Sequence, residues 1–456
     1  MNKTMIGCLL GGLLASLCGT GFAADSATPG KTFAQAFATA KSARLSVRIA
    51  SAEVDAAAAR VAQARAQRYP TLDLTYNADR IDNNDTFTGI DASVEIPQLN
   101  TISKVGVTQT VPRYQSAATL SARYQLYTGG RLEAQLNQDE LSLQAATVAR
   151  DLALQQVALD VSTAYFRLRR ACMQVASASR QLQRAQAAAE VISRRLREGR
   201  VAPIEERVSA LTVAEKQSAL RSRREDLELA YVGYQEAIQN KAPEEQNAEQ
   251  RCRFALPIES DLEQVRQLSD QTLDARYDAL KLAAARERIA VNRAALRPQV
   301  TLYGNYSGIG RSDNSMRSSL SDFSYRQFNV GVQVSFNLFD HGLASQRVSE
   351  AEAEFRKLTL HAEQAAGDRE QQKRRRELGV RMADTRIDLL VSRLNLATAQ
   401  ADMARQQLKA NTISASAAEE RIEQEQDARD ELQVAQLDAV LAQLASLFPT
   451  RTLREP

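Results

Sequence analysis

The sequence predicts an α+β membrane protein built from an internal two-fold repeat. Landmarks recur in order. Arg68-Tyr69-Pro70-Thr71-Leu72-Asp73-Leu74 returns as Leu296-Arg297-Pro298-Gln299-Val300-Thr301-Leu302, with Pro298 lying 228 positions after Pro70. Leu126-Tyr127-Thr128-Gly129-Gly130 returns 212 positions on as Leu338-Phe339-Asp340-His341-Gly342, and Leu196-Arg197-Glu198-Gly199-Arg200-Val201 returns at the same offset as Leu408-Lys409-Ala410-Asn411-Thr412-Ile413. Each copy holds two short alternating segments followed by a run poor in Gly and Pro that is too long for a compact domain.

Residues 1–23 read as a secretory signal. Lys3 gives a basic start, residues 5–17 are apolar but too short to span a bilayer, and Gly21-Phe22-Ala23 offers a cleavage site after Ala23. Leu17 is bulky where a small residue normally precedes a lipid-modified cysteine, which argues against lipidation of Cys18. Nothing later approaches the roughly 20 apolar residues of a membrane helix, so a membrane crossing must be made by strands. A net charge of +3 gives nucleic-acid binding no electrostatic support. Charged residues are 25%, with both signs interspersed, which suits long solvated helices. Aromatics are 5% and Trp is absent, which is low for a large globular core.

The first repeat spans 24–239. Residues 32–68 are Ala-rich, with Leu45, Ile49, Val54 and Val61 at helical intervals, and Tyr69-Pro70 stops the helix. Leu72, Leu74 and Tyr76 then alternate with Thr71, Asp73 and Thr75, a strand. Residues 78–113 read as a long polar loop with frayed strand ends. Leu120, Ala122, Tyr124 and Leu126 form one face of a second strand. Residues 131–198 contain neither Gly nor Pro and predict roughly 100 Å of helix. A turn at 199–203 leads into a helix whose Leu220, Leu227, Tyr231, Tyr234 and Ile238 carry a heptad spacing.

Residues 240–260 are the linker between repeats, and 261–448 the second repeat. It predicts a helix at 261–297, a strand bearing Val300 and Leu302, and a polar loop at 307–327. A strand at 328–338 follows, with Val330, Val332, Val334, Phe336 and Leu338 on one face. A long helix over 343–410 is expected to be interrupted only by Gly367 and Gly379. After a turn at 411–416 the last helix carries Val434, Leu437, Leu441, Leu444 and Phe448, and 449–456 form a tail.

Two strands of about nine to eleven residues per copy, apolar on one face and polar on the other, fit a lipid-crossing barrel. Four strands cannot close one, because open edges in lipid leave backbone groups unpaired, so several chains must share a barrel. A small water-soluble sheet capping a coiled coil is the plainer alternative.

The ordered set of motifs resembles the TolC family of outer-membrane channels for multidrug efflux and type I secretion. The resemblance rests on the junction at 68–74, the turns Tyr127-Thr128-Gly129-Gly130 and Phe339-Asp340-His341-Gly342, the run Thr163-Ala164-Tyr165-Phe166, and Gly199-Arg200-Val201-Ala202-Pro203-Ile204-Glu205. It covers essentially the whole mature chain. It implies a homotrimer in the outer membrane of a Gram-negative bacterium, with a shared twelve-stranded barrel of four strands per protomer in contact with outer-membrane lipid. It also implies a long-helix periplasmic α-barrel with the linker in a belt at mid-height. Two hairpin tips per chain would meet a periplasmic adaptor and an inner-membrane transporter of ABC, RND or MFS type. The chain itself would be a passive duct, without enzymatic chemistry or a cofactor.

By that resemblance the adaptor-contact tips are Gly199, Arg200, Val201, Ala202, Pro203 and Glu205, and Asn411, Thr412, Ile413 and Ser414. Asn411 stands where Gly is common, and Asn is the next-best residue for a left-handed turn. Family pores are narrowed by acidic residues after the second turn. Glu420, with Glu419 or Glu423, is the expected constriction, a carboxylate ring that would favour cations; the alternative is a solvated helix face. A basic gate residue is not evident, since Ile413 and Gln436 occupy the candidate places.

Cys172 and Cys252 are the cysteines left after signal removal, in a compartment that permits disulfides. Cys172 lies 41 positions beyond Arg131, about 60 Å down its helix. The linker is expected at the same level, so the two can pair; two unpaired thiols are the alternative. His341 and His361 show no metal-ligand spacing, His341 reads as a turn residue, and no phosphate loop or nucleophile elbow appears. Arg374-Arg375-Arg376 reads as a solvated helix face. A periplasmic adaptor or coiled-coil structural protein is the competing class, but an adaptor carries one hairpin where this chain has two.

Overall fold

The computed structural model describes residues 32–82, 112–239, 251–254, 257–270 and 272–448, and the backbone of 87–96 and 101–109. The expected signal, most of the linker and the tail lie outside these residues. The elements are α1 (Phe33–Ala43), α2 (Leu45–Ala66), β1 (Thr71–Arg80), β2 (Phe87–Ile96), β3 (Thr101–Gln109), β4 (Tyr114–Tyr127), α3 (Arg131–Arg197), α4 (Pro203–Ile238), α5 (Ile258–Arg266), α6 (Leu273–Arg293), β5 (Gln299–Ser312), α7 (Met316–Ser321), β6 (Tyr325–Ser335), α8 (Leu343–Lys409) and α9 (Ala415–Leu447).

The repeat holds at the starts of the long helices. α3 and α8 are each 67 residues and begin 212 positions apart, and α4 and α9 begin at the same offset. The helix expected over 32–68 is broken at Arg44, whose extended backbone separates α1 from α2. Its guanidinium bonds the Ala237 carbonyl at 3.0 Å and Asp160 at 3.3 Å, so the break is held by tertiary partners rather than by a helix breaker. The helix expected over 261–297 breaks just before α6, which begins 228 positions after α2. There Asp270 accepts from both the backbone N–H and the hydroxyl of Thr272, a local turn that competes with the helix. Gly367 and Gly379 do not interrupt α8.

Alanine decides how the helices pack. On α2 the buried face is Val47, Ala50, Ala57, Val61 and Ala64, whereas Leu45 and Ile49 are exposed, contrary to the expected stripe. The heptad on α4 is buried as expected at Leu220, Leu227, Tyr231, Tyr234 and Ile238. Among the described residues no helix is long and apolar enough to cross a membrane.

Four strands form one antiparallel sheet in the order β1-β4-β5-β6. All begin or end beyond the expected bounds at the end far from the helices. β6 stops at Ser335, so Phe336 and Leu338 lie outside it, a correction to the expected strand. The chain is already turning there: the Asp340 carboxylate accepts from Gly342 and Ala344 at the start of α8. The expected loop 78–113 contains a separate hairpin, β2–β3. In the other loop, α7 packs on β4 and β5.

Candidate pore wall, helix tips and strapped hub

The register sorts the sheet into two chemically distinct faces. On one, rows run Leu72–Ala122–Gly304–Val330, Leu74–Leu120–Tyr306–Phe328 and Tyr124–Leu302–Val332, with Val300 opposite Val334. Leu72, Leu74, Tyr76, Leu120, Tyr124, Leu302, Val330, Val332 and Val334 are exposed on it. Leu126 is also exposed, at a bulge between Gln125 and Tyr127. On the other, rows run Asp73–Ser121–Asn305–Asn329 and Thr75–Thr119–Ser307–Gln327. Arg123 lies within 3.7 Å of Asp73 there. An apolar surface this broad is not left bare in water without cause.

The sheet is tied to the helices through its turns. Gly129 has φ +66°, and a Cβ on it would stand 2.8 Å from the Ala294 carbonyl and from the Arg297 Cβ, so only glycine fits. The Arg297 guanidinium bonds the Gly129 carbonyl at 3.0 Å, joining the two repeats. His341, 212 positions on, is indeed a left-handed turn residue, with φ 53°.

Both helical hairpins end in the same cap. At the first, Gly199 has φ +70°, its N–H donates to the Leu196 carbonyl at 2.9 Å, and that of Arg200 to Arg195 at 2.9 Å. At the second, Asn411 has φ 57°, its N–H donates to Leu408 at 3.0 Å, and that of Thr412 to Gln407 at 2.9 Å. This paired pattern closes orphan carbonyls at each helix end. Pro203 starts α4, while Ser414 caps α9 by accepting from the Ala417 N–H at 3.3 Å. Arg200, Ala202, Glu205 and Thr412 are exposed; Val201 and Ile413 are half-buried. An apolar groove of about 330 Å³ lies beside the first tip between Ala185, Ala188, Ile192, Ile204 and Val208.

Glu419 and Glu420 are exposed on α9, and the carboxylate of Glu420 accepts only a long bond from Gln424, at 3.5 Å. Glu423 is half-buried, and its carbonyl accepts from Arg184. Above them runs a ladder the sequence reading missed. Arg184 pairs with Asp427 at 2.8 Å, Arg180 with Asp430 at 2.6 Å and Arg170 with Asp438 at 3.0 Å, joining α3 to α9. The spacings of 180 and 184, and of 427 and 430, set each group on one helix face, and that signal was available.

The linker is strapped to α3. Cys172 and Cys252 are joined by a disulfide with their Cα atoms 5.6 Å apart. Phe254 packs edge-on to Tyr165 and beneath Arg169, and Arg251 stacks over Tyr231 and pairs with Glu228. Asp261, fully buried, gathers these elements. It accepts from the Tyr165 hydroxyl at 2.7 Å, from Arg169 at 3.1 Å and from the Phe33 N–H at 3.4 Å. Burial, then the bond to Asp261, push the Tyr165 hydroxyl up, so it stays a donor. A carboxyl buried in this way is tolerated because three donors satisfy it.

The model of the outer membrane efflux protein family matches residues 37–238 and again 265–454, one match per repeat. The chain belongs to that family, whose members are outer-membrane transport channels. The transmembrane channel protein CusC shares 18% identity over 91% of this chain and 92% of its own, with a TM-score of 0.66. The outer membrane protein VceC of Vibrio cholerae shares 16% over 92% and 97%, with a TM-score of 0.65. The open state of the MtrE outer membrane channel of Neisseria gonorrhoeae shares 16% over 91% and 87%, with a TM-score of 0.64. These likenesses establish the fold, that of the TolC-like channels. No curated protein matches the chain by sequence.

Proposed function

We propose that the chain assembles as a homotrimer that gives cargo a passive exit through the outer membrane. The observation that carries this reading is the two-faced sheet with open edges at β1 and β6. Its apolar face suits lipid and its polar face suits a wet lumen. Unpaired edges are not tolerated in hydrocarbon, so β6 of one protomer pairs with β1 of the next until twelve strands close. The helices then continue the lumen as a cylinder toward the inner membrane.

The two capped tips and the groove at Ile192, Ile204 and Val208 suit the helical hairpin of a periplasmic adaptor, which recruits an energised inner-membrane transporter of ABC, RND or MFS type. Cargo is a drug-like solute or a secreted protein, chosen by those partners. Glu420, with Glu419 and Glu423, forms the carboxylate ring at the narrow end. Three carboxylates held close in a narrow lumen attract cations.

The test is extraction and migration. The protein is expected only in the detergent extract of outer membranes, running unheated at three times the monomer mass and as monomer after boiling. Release as a monomer by osmotic shock would favour a coiled-coil structural protein instead.

A further inference from the structure

Among the described residues, the apolar face of the sheet ends in arginines that no ion pair compensates. Arg326 on β6 continues the row Tyr76–Ala118–Gly308, directly beyond the Leu74–Leu120–Tyr306–Phe328 row. Arg80 ends β1 on the same face, opposite Tyr114. The loop between β5 and β6 folds back over this end. The Ser319 carbonyl fills the space a Cβ on Gly310 would need and accepts from the buried Ser116 hydroxyl, and Phe323 covers Gly308. This places α7 against the outside of the sheet with Leu320 and Arg317 exposed. Among the described residues the guanidinium groups of Arg80, Arg317 and Arg326 make no hydrogen bond or ion pair. The acids nearby do not cancel them. Among the described residues, Asp79 lies on the opposite face, Asp82 lies 3.9 Å from the Arg113 guanidinium, Asp313 accepts from the Arg113 N–H at 3.1 Å, and Asp322 stands beside α7.

The height is what gives this pattern meaning. Arg326 lies eight positions above Val334 along β6. That is about 26 Å of strand, or about 20 Å vertically at a barrel tilt near 40°. An outward apolar band is about 25 Å tall, so Arg326 stands just below its upper rim, and Arg80, four positions past Tyr76 in Arg326's row, stands about 10 Å higher, the two bracketing the level where hydrocarbon gives way to headgroups.

We propose that Arg80, Arg317 and Arg326 form a binding surface for the phosphates of a phosphorylated glycolipid of the outer leaflet, with Leu320 seated among its acyl chains. Guanidinium presents a planar fork that matches phosphate oxygens, and at the edge of a low-dielectric layer such pairs gain strength. A phosphosaccharide set directly on acyl chains puts anionic oxygens at this depth. Closure of β6 against the next β1 brings Arg326 of one protomer to the seam that carries Arg80 of its neighbour, so bound lipid would also bridge protomers. The inference rests on the lipid-facing, trimeric reading above.

The test measures binding of bisphosphorylated and of dephosphorylated lipid A to purified trimers by native mass spectrometry. Wild type is expected to prefer the bisphosphorylated lipid at least tenfold. The triple variant R80Q/R317Q/R326Q should lose that preference, and R311Q, on the polar face opposite Gln115, should keep it. Equal binding of the two lipids by wild type, or an unchanged preference in the triple variant, would overturn the proposal. Heat-modifiable migration of the triple variant checks that it folds. A nitroxide on Val332→Cys separates the two readings. If it is shielded from water-soluble relaxants while no phosphate preference appears, this proposal alone fails. If it is exposed to them, the lipid-facing reading itself fails.

Discussion

Asp430 on α9 accepts a 2.6 Å bond from Arg180 on α3, so the two helical hairpins of one protomer are joined by an ion pair whose acid is almost wholly buried. Burial opposes ionisation of Asp430, yet the bonds from Arg180, Ser177 and Gln426 prevail and hold its carboxyl below the ordinary 3.8. With Arg184–Asp427 and Arg170–Asp438 it closes the seam above Glu420. Arg180→Ala should loosen that seam, at about 1 kcal/mol once the partial exposure of Arg180 is discounted. Single-channel recording should then show a larger or more frequently open pore; a closed pore unchanged in Arg180→Ala and Asp430→Asn would show that the ladder does not hold the hairpins.

The same pair sets a pH dependence. A carboxyl whose folded pKa is depressed adds stability above its unfolded value and loses it as pH falls through the folded value. The gap in Tm between wild type and Asp430→Asn should therefore be full near neutrality and shrink as pH drops below 3.8. A gap that widens on acidification would reverse the sign and contradict the account.

The disulfide closes a sequence separation of 80 residues. Its loss through Cys172→Ser with Cys252→Ser should cost about 2–4 kcal/mol, mainly by freeing the unfolded chain and the linker. Alkylation in denaturant without reductant should label no thiol in the native protein. Two labelled thiols would mean the strap is not covalent, and Phe254 and Arg251 alone hold the linker.

At the tips, Gly199→Ala forces a side chain into a left-handed backbone and should cost about 1 kcal/mol, read as faster amide exchange at Arg200. Asn411→Gly relieves that strain and should slow exchange at Thr412 or leave it unchanged. Equal effects of the two substitutions would break the equivalence of the caps.

The two sheet faces make opposite demands. Val332→Lys puts charge on the apolar face and should cost about 2–4 kcal/mol in vesicle-reconstituted protein. Asn329→Lys, on the polar face, should be nearly neutral. Urea unfolding in vesicles decides, and equal costs would deny that one face meets lipid.

Much of this was legible in the sequence because period and punctuation carry it. The Pro70–Pro298 and Gly199–Asn411 correspondences set joints that recur at the same offsets in the structure. The breaks at Arg44 and before Leu273 were not legible, since neither involves Gly or Pro; a long-range guanidinium bond and a side-chain turn make them. The end of β6 was missed because Phe336 and Leu338 continue the alternation after the ladder has stopped, where Asp340 captures the chain. The Glu420 expectation rests on a resemblance, whereas the spacing of Arg180 and Arg184, and of Asp427 and Asp430, marks one face on each helix without giving the pairing between them. Asp261 gave no local signal, because its three donors come from residues distant in the chain.

The most direct measurement is single-channel conductance of detergent-purified protein in a planar bilayer, comparing wild type with Glu420→Ala. The account predicts discrete, low, cation-selective steps in wild type and weakened cation selectivity in the variant. Well-folded protein that never inserts into the bilayer would contradict an outer-membrane channel, and a pore indifferent to Glu420 would remove the carboxylate ring.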